Sequence, residues 1–192
     1  MKKVIAMVVT LSVIGIISGG VLSQIDNWAK PLIEANRKAA TERAIYLVQP
    51  NGKSYEKIEK APLEIYKVFD ENKNLTGYAI VNSGNGYGGE IRLMAGLSKD
   101  LDKITAIEIL ELSETPGLGT KVTEAPYKDQ YKGLSTQPEV EYIKGSPPTK
   151  PNEIQTITGA TISSKAVVAI INDGLNKVRS IELGGDSKWK NR

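Results

Sequence analysis

Residues 156–165 read Thr-Ile-Thr-Gly-Ala-Thr-Ile-Ser-Ser-Lys, and we expect the rest of the fold to be arranged around this stretch. Gly159 and Ala160 present almost no side chain, so another group can approach the backbone closely. Hydroxyl side chains follow at the place where the first N–H groups of a helix lack partners. These hydroxyls belong to Thr161, Ser163 and Ser164. Such a turn can bind an anion, usually phosphate, although ordinary helix capping gives the same spacing without a ligand.

The segment from Thr161 to Arg179 has apolar residues at the spacing of an amphipathic helix with one buried face. Its apolar positions are Ala166, Val167, Ile170, Ile171, Leu175 and Val178. The partial positive charge at the start of such a helix favours a phosphate by about 0.3–1 kcal/mol. Each tenfold gain in affinity needs about 1.4 kcal/mol, so this attraction is too weak to retain a cofactor. A covalent bond would remove that limitation.

Strand-like segments of apolar or alternating residues precede this helix. They are residues 63–69, 78–81, 91–97 and 104–110. Their links are too short for parallel crossovers, so we predict an antiparallel meander with the final helix covering one face. Pro126–Leu134 predicts a short helix in which Tyr127 and Tyr131 pack together. The predicted fold class is therefore α+β, with an N-terminal transmembrane helix and then an antiparallel sheet packed with helices.

The N-terminal region carries a run of 22 residues without charge, Val4–Ile25. As a helix this run would be roughly 33 Å long, enough to cross a bilayer core. A cleaved signal peptide is the alternative, but its apolar region is normally shorter. Asp26–Gln49 predicts a helical stalk that ends at Pro50-Asn51-Gly52. We therefore expect an anchor at 1–25, a stalk and linker at 26–52, a domain at 53–183 and a polar tail at 184–192.

The composition excludes several classes of function. The net charge is +3, from 25 basic and 22 acidic residues, which argues against a nucleic-acid surface. The chain has no Cys and no His. Disulfides, thiolate iron–sulfur or zinc sites, His-ligated haem and Ser-His or Cys-His catalysis are therefore excluded within it. If the protein carries out redox chemistry, a bound organic cofactor must supply it.

Two glycine-containing segments lie in the middle of the chain. Gly84–Gly89 surrounds Tyr87 with small residues, and Glu114–Gly119 reads Glu-Thr-Pro-Gly-Leu-Gly. From the residues alone, the first segment is compatible with a mobile loop and the second with a shaped connector. They are also compatible with backbone brought close to a flat ligand. Gly84–Gly89 is not a dinucleotide fingerprint, because it does not open a helix within a βαβ unit.

Thr158-Gly159-Ala160-Thr161, followed by Ile-Ser-Ser, resembles the flavinylation motif of the FMN-binding domain family. Its members include subunits of Rnf electron-transport complexes and of sodium-pumping NADH:quinone reductases. Glu114–Gly119 matches a second motif of that family over its full length, and the Gly-Tyr-Gly segment is also similar. Two positions depart from the family pattern: Gln155 stands where Asp is usual, and Ser113 where His is frequent.

The resemblance implies an FMN whose phosphate is joined by a phosphodiester bond to Thr161. It implies a cofactor site with no catalytic or metal-ligating residues. The implied cofactor-binding residues are Tyr87, Glu114, Thr115, Gly117, Leu118, Gly119, Thr158, Gly159, Ala160, Thr161, Ser163 and Ser164. In this interpretation the Pro-Gly bend, Glu114–Gly119, lies against the isoalloxazine ring. Ser163 and Ser164 bind phosphate oxygens.

The function that the resemblance implies is single-electron relay in a membrane complex that couples ferredoxin and NAD to ion movement. The chain length favours the Rnf branch of the family. The implied partners are the other subunits of an Rnf-type complex, including a second flavin-bearing membrane subunit, and a flavin transferase for maturation. The implied location is the inner membrane, with one span and an extracytoplasmic domain. Two alternatives stay open: a stand-alone extracytoplasmic flavin reductase and a structural anchor without cofactor.

Overall fold

The structure is a computed structural model that describes residues 1–59 and 61–181. The predicted tail, residues 184–192, lies outside the described residues. The elements, in chain order, are α1 (Lys2–Val48), β1 (Ser54–Lys57), β2 (Glu64–Phe69), β3 (Leu75–Asn85), β4 (Glu90–Ser98), β5 (Ile104–Leu112), α2 (Ala125–Lys128), β6 (Glu141–Ile143), β7 (Glu153–Gln155) and α3 (Thr161–Ser180). Two 3-10 turns, Gly119–Thr123 and Asp129–Tyr131, flank α2. The predicted α+β class is confirmed.

The chain divides into two compact units, Met1–Ala40 and the residues from Thr41 onward. The first unit is a single stretch of α1, and nearly all of its side chains are exposed. By length and composition, α1 is the one helix among the described residues that could cross a membrane. This agrees with the predicted apolar span. The division of the chain at residues 25, 52 and 183 remains a proposal.

The second unit is built on a five-stranded antiparallel sheet with strand order β1-β2-β3-β4-β5. The predicted meander is confirmed, with Ile80 opposite Ala95 and Ala95 opposite Ile107 across the central strands. The sequence-based segments did not include β1, because Ser54–Lys57 is short and polar and carries no apolar alternation. They also stopped β3 too early, at Val81, because Asn82–Asn85 continues the strand with polar and small residues.

Both faces of the sheet are covered, whereas the sequence identified a cover for only one. One face packs against α3 through Val167, Ile171 and Leu175. The opposite face packs against the last two turns of α1, where Ala44 and Ile45 are buried. The physical reason is that β3 and β4 are apolar on both sides, so each face needs a partner.

The end of α1 is tied to the sheet by polar contacts. Thr105 Oγ1 donates a hydrogen bond to Val48 O at 2.5 Å. The buried Gln49 side chain donates to two strand carbonyls, Tyr78 O at 2.9 Å and Leu97 O at 2.8 Å. Buried polar groups need such partners to avoid a desolvation penalty. Residues 41–49, which we expected to belong to a stalk, therefore contribute to the core of the sheet unit.

The connection from β5 to α3 is less regular than predicted. The helix expected at Pro126–Leu134 is only α2 and the 3-10 turn after it. The predicted packing of Tyr127 on Tyr131 is confirmed, with ring centroids 5.5 Å apart and hydroxyl oxygens 2.8 Å apart. β6 and β7 then form a small parallel pair that the sequence did not indicate. β7 leads directly into the turn before α3.

Candidate functional site

The turn that opens α3 is fixed by its own backbone and by one buried serine. Gly159 has a φ of +84°, in the left-handed region that favours glycine. Ser164 is fully buried, and its Oγ donates to Ala160 O at 2.9 Å and accepts from the N–H of Ile157 at 3.1 Å. Both bonds are internal to the turn. The structure therefore gives Ser164 a structural role, and we do not retain the predicted contact with a phosphate.

Thr161 is the first residue of α3, and Ala160 is its N-cap. Ala160 has no side chain that could accept from the first-turn N–H groups, and no side-chain cap bond is present there. The start of α3 thus offers unpaired donors and the positive end of the helix dipole. Thr161 is partly exposed and Ser163 is buried at this position. An anion next to Thr161 would meet both the donors and the dipole.

The Pro-Gly bend of Glu114–Gly119 packs beside this helix start. Gly117 has a φ of +74°, and its N–H donates to Thr120 Oγ1 at 2.9 Å. A Cβ on Gly119 would lie 2.9 Å from Ser163 Oγ, so only glycine allows this approach. Leu118 is 47% exposed, and its Cδ2 would lie 3.5 Å from a Cβ on Gly159. The bend and the turn therefore meet across a narrow space.

The loop between β3 and β4 forms a third side of this space. Its Tyr87 N–H donates to Glu114 Oε1 at 2.6 Å, and its Gly88 N–H donates to Glu114 Oε2 at 3.1 Å. The Tyr87 side chain is 70% exposed. Glu114 thereby links the Pro-Gly bend to a loop that lies 26 and 27 residues earlier in the chain.

These three segments enclose a pocket with a cavity volume of about 400 Å³. Its lining residues are Tyr87, Glu114, Thr115, Leu118, Gly119, Gly159, Ala160, Thr161, Ile162 and Ser163. Of the residues expected at the site, Thr158, Gly117 and Ser164 are not among the lining residues. Ile162 was missed by the sequence analysis. A signal was present in the sequence, because Ile162 is apolar but does not fall on the predicted buried face of α3. In the structure its side chain is 55% exposed.

A buried tyrosine supports the first turn of α3 from behind. The Tyr127 hydroxyl donates to Ser164 O at 3.1 Å. Burial raises the pKa of Tyr127 above its usual value. The group therefore remains a neutral hydrogen-bond donor at physiological pH, and it adds no negative charge near an anion at the helix start.

The segment before the turn carries Gln155, one of the two positions at which the sequence departs from the pattern of the family that it resembles. Its backbone is bracketed by the Gln130 side chain, which accepts from Gln155 N at 2.7 Å and donates to Gln155 O at 3.3 Å. The nearby Glu153 accepts from the N–H of Thr149 at 2.8 Å, and this bond and others lower its pKa to about 2. Glu153 is thus occupied within its own loop and does not substitute for Asp at position 155.

The chemistry of the pocket fits a flat aromatic ligand that carries a phosphate. Leu118, Ile162 and Tyr87 supply apolar and aromatic surface, while the start of α3 supplies N–H donors. The volume lies within the usual range for small-molecule sites, roughly 300–1,000 Å³. Among residues 1–59 and 61–181, no group of His, Cys, Asp and Glu could hold a metal ion. The residues that line the pocket therefore fit FMN.

The chain is similar to known proteins over most of its length. Residues 86–176 match the FMN-binding domain family, and this range contains all three pocket segments. The chain is 40% identical over 111 residues to the G subunit of the Na⁺-translocating ferredoxin:NAD⁺ oxidoreductase complex of Acetobacterium woodii. That alignment covers 57% of this chain and 52% of the relative, so the chain spans about half the length of that protein.

Two further matches cover more of the chain. It is 25% identical over 189 residues to the G subunit of the ion-translocating oxidoreductase complex of Methanosarcina acetivorans, covering 94% of this chain and 97% of that protein. The crystal structure of the C subunit of the Na⁺-translocating NADH-quinone reductase from Parabacteroides distasonis is 18% identical, with a TM-score of 0.57. It covers 76% of this chain and 92% of that chain, which shows a shared fold.

Proposed function

We propose that this chain, which matches the FMN-binding domain family over residues 86–176, is a membrane-anchored electron-transfer subunit of an ion-translocating ferredoxin:NAD oxidoreductase complex. One observation carries the proposal. The hydroxyl at the start of α3 and the Pro-Gly bend, which are far apart in sequence, line one pocket with a volume of about 400 Å³. Two relatives support the proposal by their names: one is the G subunit of a Na⁺-translocating ferredoxin:NAD⁺ oxidoreductase complex, and the other is the G subunit of an ion-translocating oxidoreductase complex.

FMN supplies one-electron transfer when it is bound. In this proposal the chain's own residues bind and orient it. The N–H groups at the start of α3 would hold the phosphate, and Gly159 and Ala160 would allow it close to the backbone. Leu118 and Tyr87 line the pocket from different segments and would pack against the ring. Glu114 holds the Tyr87 loop in place.

We further propose that a flavin transferase joins FMN to Thr161 Oγ1 by a phosphodiester bond, with a flavin dinucleotide as donor. The bond from Oγ1 to phosphorus forms as the pyrophosphate P–O bond of the dinucleotide breaks, the nucleoside monophosphate leaves, and the threonine proton passes to solvent. Thr161 is the one threonine hydroxyl of the turn that lines the pocket, whereas Thr158 is exposed outside it. Noncovalent attraction by the helix start is worth only about 0.3–1 kcal/mol. A covalent bond therefore retains the cofactor where free FMN is scarce.

The apolar part of α1 would anchor the chain in the inner membrane, with the sheet unit on the extracytoplasmic side. The proposed partners are the other subunits of an Rnf-type complex, including a second flavin-bearing membrane subunit. In this proposal the chain passes electrons between neighbours and carries no substrate chemistry of its own.

The test is to coexpress the full chain with a flavin transferase, denature and wash it, and record its visible absorbance. Intact mass of the peptide that contains Thr161 then locates the adduct. We expect yellow colour to stay with the wild type and with Thr161→Ser, which keeps a hydroxyl. It should be lost in Thr161→Val, which has nearly the same shape without a hydroxyl.

Colour that persists in Thr161→Val would place the attachment elsewhere, and a colourless wild type would refute covalent FMN. The purified wild type should also turn over slowly with a soluble donor and acceptor. Fast turnover would favour a stand-alone flavin reductase over a relay subunit.

A further inference from the structure

The Glu114 carboxylate lies between two loops that are well separated in the sequence of the sheet unit. Glu114 follows β5, and the loop that it contacts joins β3 to β4. Both carboxylate oxygens are used: Oε1 accepts from Tyr87 N at 2.6 Å and Oε2 accepts from Gly88 N at 3.1 Å. Hydrogen bonds of this kind, with one charged partner, are roughly twice as strong as those between neutral groups.

Glycines make room for this carboxylate on two sides. A Cβ on Gly86 would overlap Glu114 Oε1, and a Cβ on Gly119 would lie 2.6 Å from Glu114 Oε2. A Cβ on Gly88 would lie 2.9 Å from Ser113 O. The Glu114 carboxylate thus fits between the two loops because Gly86 and Gly119 have no side chain.

The ring of Tyr87 is not held by packing, because the side chain is 70% exposed. Two glycines follow Tyr87 and another precedes it, so the backbone of this loop has little intrinsic stiffness. The turn is closed by a hydrogen bond from Gly86 N to Gly89 O at 2.7 Å, and between these two residues the N–H groups of Tyr87 and Gly88 are bound by Glu114. The Glu114 carboxylate is therefore the side-chain restraint on the tip of the turn that carries Tyr87. Tyr87 and Glu114 both line the pocket.

We infer that Glu114 is a positioning residue that fixes the Tyr87 loop, and through it the Tyr87 ring, as one wall of the cofactor pocket. This inference deepens the proposed function and rests on it for the identity of the ligand. In this arrangement Glu114 acts through the backbone of the loop, and the aromatic contact with the flavin is made by Tyr87. The sequence motif that contains Glu114 therefore serves two loops at once.

Glu114→Gln is the informative change, because the side chain keeps its length and shape. An amide offers one acceptor oxygen, and its nitrogen would face a backbone N–H that needs an acceptor. One of the two loop bonds is lost, and the other loses its charge assistance. Glu153→Gln is the matched control, since Glu153 accepts backbone N–H bonds from Thr149 and Lys150 in a loop away from the pocket.

The first measurement is amide hydrogen exchange in the full chain in detergent, in a flavin-free Thr161→Val background. We expect Glu114→Gln to speed exchange at Tyr87 and Gly88 by roughly tenfold or more, because the bonds that protect these amides are weakened. Glu153→Gln should leave these two amides unchanged. Unchanged exchange at Tyr87 and Gly88 in Glu114→Gln would overturn the inference, whatever the state of the flavin.

The second measurement is the fluorescence of the attached flavin, which a neighbouring aromatic ring quenches. We expect Glu114→Gln and Tyr87→Ala each to raise the fluorescence, and the double variant to match Tyr87→Ala alone. Glu153→Gln should have no effect. An equal rise from Glu114→Gln with and without Tyr87 would show that Glu114 does not act through the ring, which would overturn the inference.

The two measurements separate the inference from the proposed function. A wild-type chain that carries no flavin after coexpression with a transferase would refute the proposed function. The exchange measurement uses flavin-free protein, so it would still decide whether Glu114 fixes the Tyr87 loop.

Discussion

Replacing Ser164 by Ala tests whether this hydroxyl shapes the turn before α3 or binds a phosphate. In the structure Ser164 Oγ accepts from Ile157 N at 3.1 Å and donates to Ala160 O at 2.9 Å. Ala160 O also accepts from the backbone N–H of Ser164 at 3.0 Å, so it keeps a partner in the variant. Only the N–H of Ile157 loses its acceptor.

An unpaired donor in a partly buried position costs about 1–3 kcal/mol. For a unit of this size, each kcal/mol lowers the melting temperature by roughly 2–4 °C. We therefore expect Ser164→Ala to lower the melting temperature by about 2–12 °C, in flavin-free protein as well as in flavinylated protein. The assay is thermal unfolding of the full chain in detergent, followed by near-ultraviolet circular dichroism of the tyrosines.

Ser163→Ala is the matched control, because Ser163 is adjacent and buried but lies at the pocket wall beside Gly119. We expect it to change the melting temperature of flavin-free protein little. If Ser164→Ala left the flavin-free protein unchanged and lowered flavin retention alone, Ser164 would be a phosphate ligand. The structural role derived from its two internal bonds would then be refuted.

Three other changes have outcomes that the structure determines. Gly96→Ala should destabilise the sheet unit by about 1–3 kcal/mol or more, measured by denaturant unfolding, because a Cβ there would overlap Val48 O. The pKa of Glu153 is lowered to about 2 by hydrogen bonds from its loop, so its stabilising effect should be complete above pH about 4.5 and lost as the pH falls towards 2. Thermal unfolding of Glu153→Gln between pH 2 and pH 6 should lack that component, and an identical pH profile would contradict it. Tyr127→Phe should destabilise the protein more than Tyr131→Phe, because it removes the hydroxyl that bonds both its neighbour and α3. Equal losses of free energy of unfolding would contradict that order.

The antiparallel meander and α3 could be predicted because their signals are local. Strand alternation and the i, i+3, i+4 spacing depend on neighbouring residues, and burial of Val167 and Leu175 follows directly from that spacing. The Thr-Gly-Ala-Thr turn and the Pro-Gly bend were likewise recognisable as motifs. One residue from each motif, Thr161 and Leu118, lines the same pocket. Their role in binding a cofactor remains a proposal.

Other features could not be predicted because they depend on partners distant in sequence. The local sequence of Ser54–Lys57 does not indicate a strand. The segment is a strand because it pairs with β2. From the sequence, the residues of α1 near Ile45 were predicted to end a stalk. They instead cover the second apolar face of the sheet, which only the packed structure reveals. In the sequence Ser164 is one more hydroxyl near a possible phosphate site. In the structure it is buried, and its Oγ bonds to Ile157 N and Ala160 O.

The sequence by itself determined an apolar helix long enough to span a membrane, an α+β domain, and a hydroxyl at the start of an amphipathic helix. Each of these follows from composition or from periodicity over a few turns. Only the tertiary structure decided which groups meet. Glu114 reaches Tyr87 across 27 residues because the sheet places the β3–β4 loop beside the end of β5. Hydrogen bonds have strict requirements of distance and direction, so their partners are set by the packed fold and not by local pattern.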